Sequence, residues 1–419
     1  MTARLFLLTQ SPYTRHIASS VDAEVLRSSG FKFIVLDATD LLLPVLRGIH
    51  GELALGEEVW RVSTLEDLRK ISTQLTTNDI VVFWGAYYDR QLSEPTPVYD
   101  IVSKSHALIG AVNSGHIPSH LPLTHDVRSF STRMARKLSD IAINPSEHVP
   151  HLGRQLRRIA TSAVRPRSEP ALASQGRRPL DYLWTGSMTQ PISSSIISEV
   201  TQVRFIHTFD YEKIQHEEIH PAEECESLVY LDSMGPLHPD YVAQGNNPFS
   251  ISSEEYFALI RRSLISLASS SGSDVVIAAH PRASRGSLEG RYGAFPVFYE
   301  ETPLLIASAR AVIDAGGSAS IGMAAFAKRP ITFLSSRSFG KTTYRGQSDL
   351  AHWLRVPIVD IDSPIDKWEI PKVNDDAYAT YMHEFLKRED SLPGPFWVQV
   401  VEDTLSGLAR QGHASGGAP

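Results

Sequence analysis

The chain has 419 residues, 42% of them hydrophobic and 21% charged, with a formal net charge of −7 and one cysteine, Cys225. That length favours two domains of ordinary size with sizeable cores, and the mild acidity gives no general attraction to nucleic acid. A single cysteine excludes an intramolecular disulfide and fits a reducing compartment, so a cytoplasmic protein is expected; no apolar run reaches the roughly 18–20 residues that span a bilayer.

The opening Arg4–Thr9 is too short for a signal h-region and reads as a first strand. Further strands are predicted at Phe33–Leu36, Ile80–Trp84, Ala107–Val112, Tyr182–Trp184 and Val203–His207, with helical patterns around Val21–Ser28 and Thr64–Gln74. Short apolar runs separated by helices predict a doubly wound parallel sheet. Its strand ends carry Thr9, Gln10, Tyr13, Asp37, Asp40, Gly85, Tyr87 and Asp89, followed later by Thr185, Gly186 and Ser187. An acceptor hydroxyl needs a general base, and Asp89 or Asp37 could supply it from this half. Between Arg128 and Arg178 arginines outnumber acids, and prolines mark a loop from Val164 to Pro179. That stretch reads as a solvated helix and loop, or as a surface for anionic lipid or glycan and hence for peripheral membrane contact.

A second α/β unit begins near Ser227. Strands are predicted at Leu228–Leu231, Asp274–Ala279, Ala311–Ile313, Ile331–Leu334 and Val356–Val359, and helices at Ser253–Ser269, Thr302–Ala309 and Ser320–Ala327. The expected plan is α/β with two Rossmann-like domains, 1–215 and 225–375, then C-terminal helices over 376–411 and a disordered tail, 412–419. No solenoid-length repeat is present.

Two stretches carry the chemistry. Asp274–Ala279 is a buried-type strand that delivers His280 at its carboxyl end, and Pro281 stops the ladder before Arg282. Ala311–Asp314 runs into Gly316, Gly317, Ser318 and Ser320 ahead of a short helix. Glycines let the backbone approach a ligand, one serine can cap the helix, and the free N–H groups suit a phosphate. His280 can donate to a phosphate oxygen. A third stretch, Val229–Tyr241, ends a strand at Asp232 and opens a Gly/Pro-rich loop; Asp232 and Ser233 could touch a sugar or base. Asp360-Ile361-Asp362 has the outline of a metal motif but follows a strand and reads as its end. No dinucleotide fingerprint, P-loop, zinc spacing or Gly-x-Ser-x-Gly elbow is present.

Together these residues resemble bacterial GT-B enzymes of surface-polysaccharide assembly, especially the sialyltransferase and polysialyltransferase group. His280-Pro281 is similar to that group's His-Pro motif, and Ser318-Ala319-Ser320 to its serine motif at the CMP phosphate. His207–Tyr211, the Leu231–Tyr241 loop and Glu254-Glu255-Tyr256 also look alike, so the resemblance covers about Asp181 to Leu334. It implies a GT-B fold and metal-independent, inverting transfer of a sugar from a nucleotide donor, a CMP donor favoured, to a glycan or glycolipid, without a cofactor. The group's acidic pair followed by glycine has no clear counterpart here, and Asp89 stands in as catalytic base. Two other classes fit the same residues. A teichoic-acid-type enzyme would move an alcohol phosphate from a CDP donor and would use His238 as a second histidine. A non-catalytic GT-B-like binding subunit would need no base.

Overall fold

The computed structural model describes residues 3–48, 53–54, 56–85, 88–89, 94–113, 177–186, 196–239, 241, 247–316 and 318–415. These elements belong to one unit, residues 1–120 with 178–419; residues 121–177 form a second unit. The predicted basic surface therefore lies outside the described residues apart from Arg177 and Arg178, and Arg178 is paired with Asp181. No described helix is long and apolar enough to cross a membrane.

The first half forms a seven-stranded parallel sheet in the order β3-β2-β1-β4-β7-β8-β9. Its strands are β1 (Arg4–Thr9), β2 (Lys32–Asp37), β3 (Glu58–Arg61), β4 (Asp79–Trp84), β7 (Leu108–Asn113), β8 (Tyr182–Thr185) and β9 (Gln202–Phe205). The central strands are buried almost throughout, as a parallel sheet covered by helices on both faces requires. Arg4 and Asp79 pair through two hydrogen bonds of 2.6–2.7 Å and pin β1 to β4 at their amino ends. The edge strand β3 is largely exposed and escapes the sequence reading because it has no apolar run. Around the sheet lie α1 (Arg15–Ala18), α2 (Ala23–Ser28), α3 (Thr39–Leu42), α4 (Leu65–Thr73) and α5 (Pro97–Val102). A reciprocal capping box between Thr64 and Asp67 starts α4.

The link to the second half is α6 (Phe209–Ile214). Phe209 packs into a core of the first sheet and Ile214 into a core of the second. The second sheet has six parallel strands in the order β12-β11-β10-β13-β14-β15. They are β10 (Ser227–Leu231), β11 (Asp274–Ala278), β12 (Val297–Phe298), β13 (Ala311–Asp314), β14 (Ile331–Ser335) and β15 (Ile358–Asp360). Helices α7 (Ser253–Ser271), α8 (Thr302–Ala307), α9 (Ile321–Phe326) and α10 (Gly340–Leu354) connect them. Helix α7 opens on a Ser252–Glu255 capping box and closes at Gly272 in the left-handed conformation. Helix α10 was not expected, since its first turns are rich in Gly and Thr. Burial of Leu350, Ala351 and Leu354 against the sheet overrides that weak propensity.

The C-terminal helices do not form one group. Helix α11 (Asp375–Phe385) buries Tyr378, Tyr381 and Phe385 in the second sheet's core, whereas α12 (Phe396–Ser415) returns to the first. Trp397 donates its indole N–H to Ser20 O at 2.7 Å, and Asp403 accepts from Trp184 and Arg204, each at 3.0 Å. The chain is helical to Ser415, so the expected disorder from residue 412 is corrected over 412–415; residues 416–419 lie outside the described ones. Trp397 stacks in line with Trp84 and is buried with Phe396, Val400 and Val401. Trp397→Ala should therefore cost about 3–5 kcal/mol of stability, measurable by urea unfolding. A loss below about 1 kcal/mol would show that α12 is not integral to the first core.

Candidate functional site

In open α/β sheets ligands collect beyond the carboxyl strand ends, where strand order reverses. Those points are β1/β4 in the first sheet and β10/β13 in the second. At β1/β4, Gln10 lies against Gly85, whose φ of +74° favours glycine. At β10/β13, Gly316 packs so closely on Ser233 that a Cβ there would stand 2.2 Å from the Ser233 Cβ. The loop after Asp232 and the glycine turn after Asp314 are thus brought together, as their positions at neighbouring strand ends require.

His280 follows the end of β11. Its backbone N–H donates to Asp232 Oδ2 at 3.2 Å, and its Nδ1 accepts from the Arg282 N–H at 3.1 Å. The neutral ring therefore carries its hydrogen on Nε2. The His238 ring lies edge-on, 4.9 Å away between centroids. Burial pushes the His280 pKa well below the ordinary imidazole value, with the charges of His238, Arg282 and His16 adding to it. His16 comes from the other half of the molecule. Thr14, Arg15 and His16 share a cleft with His280, Pro281, Ala283, Arg285, Tyr299 and Glu300. Burial, then Lys213 and Arg282, lowers the His16 pKa to about 4. Lys213, on α6, donates to Ser20 Oγ at 3.1 Å and so holds its ammonium near this loop. Arg285 pairs loosely with Glu300, at 3.8 Å. Arg15, His16, His280 and Arg285 outnumber the one acid of the lining, Glu300, and that balance suits an anion.

The remaining sequence candidates fall in different places. Asp232 is buried, and its oxygens accept from Met234 N (2.8 Å), Tyr292 Oη (2.5 Å) and His280 N. Burial raises its pKa and the Tyr292 bond opposes the rise. With both oxygens engaged it fixes the loops rather than offering a free contact to a sugar. Ser233 Oγ lies 3.1 Å from the Tyr256 hydroxyl. The Ser318 N–H donates to Asp314 at 3.3 Å, and the Ser320 N–H to Ser318 Oγ at 3.2 Å. Ser318 thus stabilises the turn itself, whereas Ser320 makes no side-chain cap to α9. Gly317 lies outside the described residues.

Asp89 belongs to a two-residue strand, β5 (Tyr88–Asp89), paired with β6 (Glu94–Pro95); its side chain, like Tyr87 and Ser187, lies outside the described part. Asp37 accepts from Thr39 and from Arg47 at 2.8 Å, a buried pairing that removes it as a base. Asp360 and Asp362 close the turn after β15, with Asp362 accepting from Ser336 and Arg337. His16 and Lys213 were missed. The signal for His16 was its place in the first segment after β1, seven residues past Thr9 at a switch point; Lys213 gave none, since its place depends on packing between the halves.

No protein-family model matches this sequence. No curated protein matches it either. Solved structures do. The calicheamicin glycosyltransferase CalG4 aligns over 98% of this chain and 99% of its own, with a TM-score of 0.50 and 13% identity. The fold is GT-B. MurG of Acinetobacter baumannii aligns over 96% of this chain and 99% of its own at TM-score 0.44 and 11% identity. Anabaena HepE, solved with UDP-glucose, aligns over 96% and 99% at 0.42 and 13%. Identities this low speak for the fold alone, and the GT-B assignment rests on CalG4 together with the two parallel sheets described above.

Two outcomes test this geometry. Gly316→Ala should lower the melting temperature and weaken anion binding, and adding Ser233→Gly should restore both, since it removes the Cβ and Oγ in the way. If Ser233→Gly gives no rescue, the close approach of the two loops is not what the glycine serves. The second outcome concerns pH. A histidine whose folded-state pKa is lowered contributes stability above its unfolded value of about 6.5, lost as pH falls toward the folded value. For His16 that window runs from about pH 6.5 to about 4, worth at most roughly 3 kcal/mol. Melting temperatures between pH 7.5 and 4.5 should fall with acid, and His16→Gln should flatten the slope. An unchanged slope would assign the loss to other groups.

Proposed function

We propose that this chain is a glycosyltransferase that takes a sugar from a nucleotide donor and passes it to a glycan or glycolipid hydroxyl. The observation that carries this reading is the shared cleft, in which His16 from the first half meets His280 and the Arg282–Arg285 loop from the second. A fold shared with a glycosyltransferase, CalG4, supports it. The donor's phosphate sits beside His280, Arg282 and the turn from Gly316 to Ser318, and its nucleoside reaches toward the β10/β13 switch point. Cationic and N–H donors there stabilise charge on the departing nucleotide. The acceptor oxygen attacks the anomeric carbon as the bond to phosphate breaks, and the displacement inverts that carbon. The acceptor proton passes to His16, which the lowered pKa keeps neutral at pH 7; Asp89 is the alternative base. Anionic donor beside Arg282 offsets the charge that depresses His16 and makes it a better base when the site is filled. The arrangement is compatible with the expected CMP-activated acidic sugar and with a role in capsule or lipopolysaccharide assembly at the inner face of the membrane.

One observation favours a second reading. His238 stands 4.9 Å from His280, which is the histidine pair that a CDP-alcohol phosphotransferase of teichoic-acid type would use.

The decisive experiment is thermal stabilisation by CMP, CDP, UDP, GDP and ADP, with and without EDTA, on the wild type and His280→Ala. A ligand that binds only the native state raises its melting temperature. A selective, EDTA-insensitive shift that His280→Ala loses is expected, and turnover with the matching donor should fall at least tenfold in that variant, about 1.4 kcal/mol or more. A CDP-selective shift with activity lost in His238→Ala would establish the second reading. No shift with any nucleotide would leave a binding subunit.

A further inference from the structure

The ladder between β13 and β14 runs over Val312–Ile331, Ile313–Thr332 and Asp314–Phe333 and then stops. The next residues on the two strands are Ala315 and Leu334. Their carbonyl oxygens must find other donors, since buried backbone groups are rarely left without one. Both find the same one. The side-chain amide of Gln347, fully buried on α10, donates to Ala315 O and to Leu334 O, each at 2.7 Å. A carboxamide nitrogen has two hydrogens, so one group holds both strand ends at a fixed span.

That span bears on the β10/β13 switch point. Ala315 immediately precedes Gly316, and Gly316 is the residue that abuts Ser233, which in turn contacts Tyr256. A shift of Ala315 must move Gly316, its neighbour in the chain. The polar group is kept here against a penalty: Gln347 Oε1 meets no hydrogen-bond partner among the described residues, nor do the nearby-in-sequence Thr343 Oγ1 on α10 and Ser335 Oγ at the end of β14. An apolar side chain would fill the space without that burden. The retained donor pair is explained by the two carbonyls it holds.

We infer that Gln347 is a positioning residue for the turn that receives the donor phosphate. The inference rests on the nucleotide-donor reading and deepens it. Gln347→Met matches the side chain in length and removes both donors, and nucleotide affinity by titration calorimetry is the main readout. With the nucleotide that stabilises the wild type, affinity should fall at least tenfold and donor KM should rise, while acceptor KM stays within twofold. Should that variant not fold, Gln347→Asn is one methylene short of spanning both carbonyls and should show the same pattern. Gln347→Glu should bind worst at pH 8, where a carboxylate faces two carbonyls, and recover toward pH 5 as a protonated carboxyl regains one donor. A Gln347→Met or Gln347→Asn protein that melts lower yet binds nucleotide with wild-type affinity would overturn the assignment, leaving a structural role only. Nucleotide binding absent from the wild type itself would instead remove the functional reading, and this inference with it.

Discussion

The second half of the molecule depends on one buried carboxylate. Asp232 ends the strand β10 and gathers a backbone N–H from its own loop, another from His280 at the end of β11, and the hydroxyl of Tyr292. Burial without these donors would be prohibitive for an ionised group, and even with them it raises the Asp232 pKa. Hydrogen bonds to a charged acceptor are the strong ones. Their effect is geometric as well: they fix where His280 begins, and the Arg282 N–H then fixes which ring nitrogen carries the hydrogen. A fixed tautomer aims a donor, Nε2–H, away from the strand. The same carboxylate shapes the loop through Met234, whose left-handed φ of 57° leads into Gly235 and the face of Tyr256.

The two halves are joined by two chain crossings. Helix α6 places Phe209 on one core and Ile214 on the other, and the chain crosses again between α11 and α12. Near the crossings Thr208 N donates to Leu386 O, Leu392 N to Phe205 O and Phe396 N to Glu212, while Lys387 and Arg388 lie over the rings of Tyr211 and Phe205.

The sheets were legible because a parallel strand covered on both faces needs an unbroken apolar run, and Leu5–Leu8, Ile80–Phe83 and Leu228–Leu231 are such runs. His280 was legible for the same reason, since Pro281 marks where its strand must stop. What the sequence concealed is what tertiary packing decides. Asp232 looks like an available strand-end acid, and only the fold shows its oxygens taken. Helix α10 gave no helical pattern in the sequence, since Gly340, Thr342, Thr343 and Gly346 are poor helix formers, and Gln347 is hidden with it. His16 lies in plain view after β1, but its partners are nearly two hundred and more residues away in the chain.

The lining of the cleft argues for a charged ligand more strongly than any single motif. Arg15 and Arg285 line the cleft with the two imidazoles, the charges of Lys213 and Arg282 act on His16, and the lining acid Glu300 is exposed and held with φ of 65° beside Arg285. Like charges brought together oppose folding, and here their mutual effect is visible in the histidines, both kept neutral by burial and by their cationic neighbours. Carboxylates lie close to part of this charge, Asp210 and Glu212 beside Lys213 and Glu300 beside Arg285. Asp232 and Asp314 accept from backbone and hydroxyl donors behind the strand ends. On the proposed function, a donor phosphate placed between His16 of the first half and His280 of the second would bring both histidines onto the same substrate.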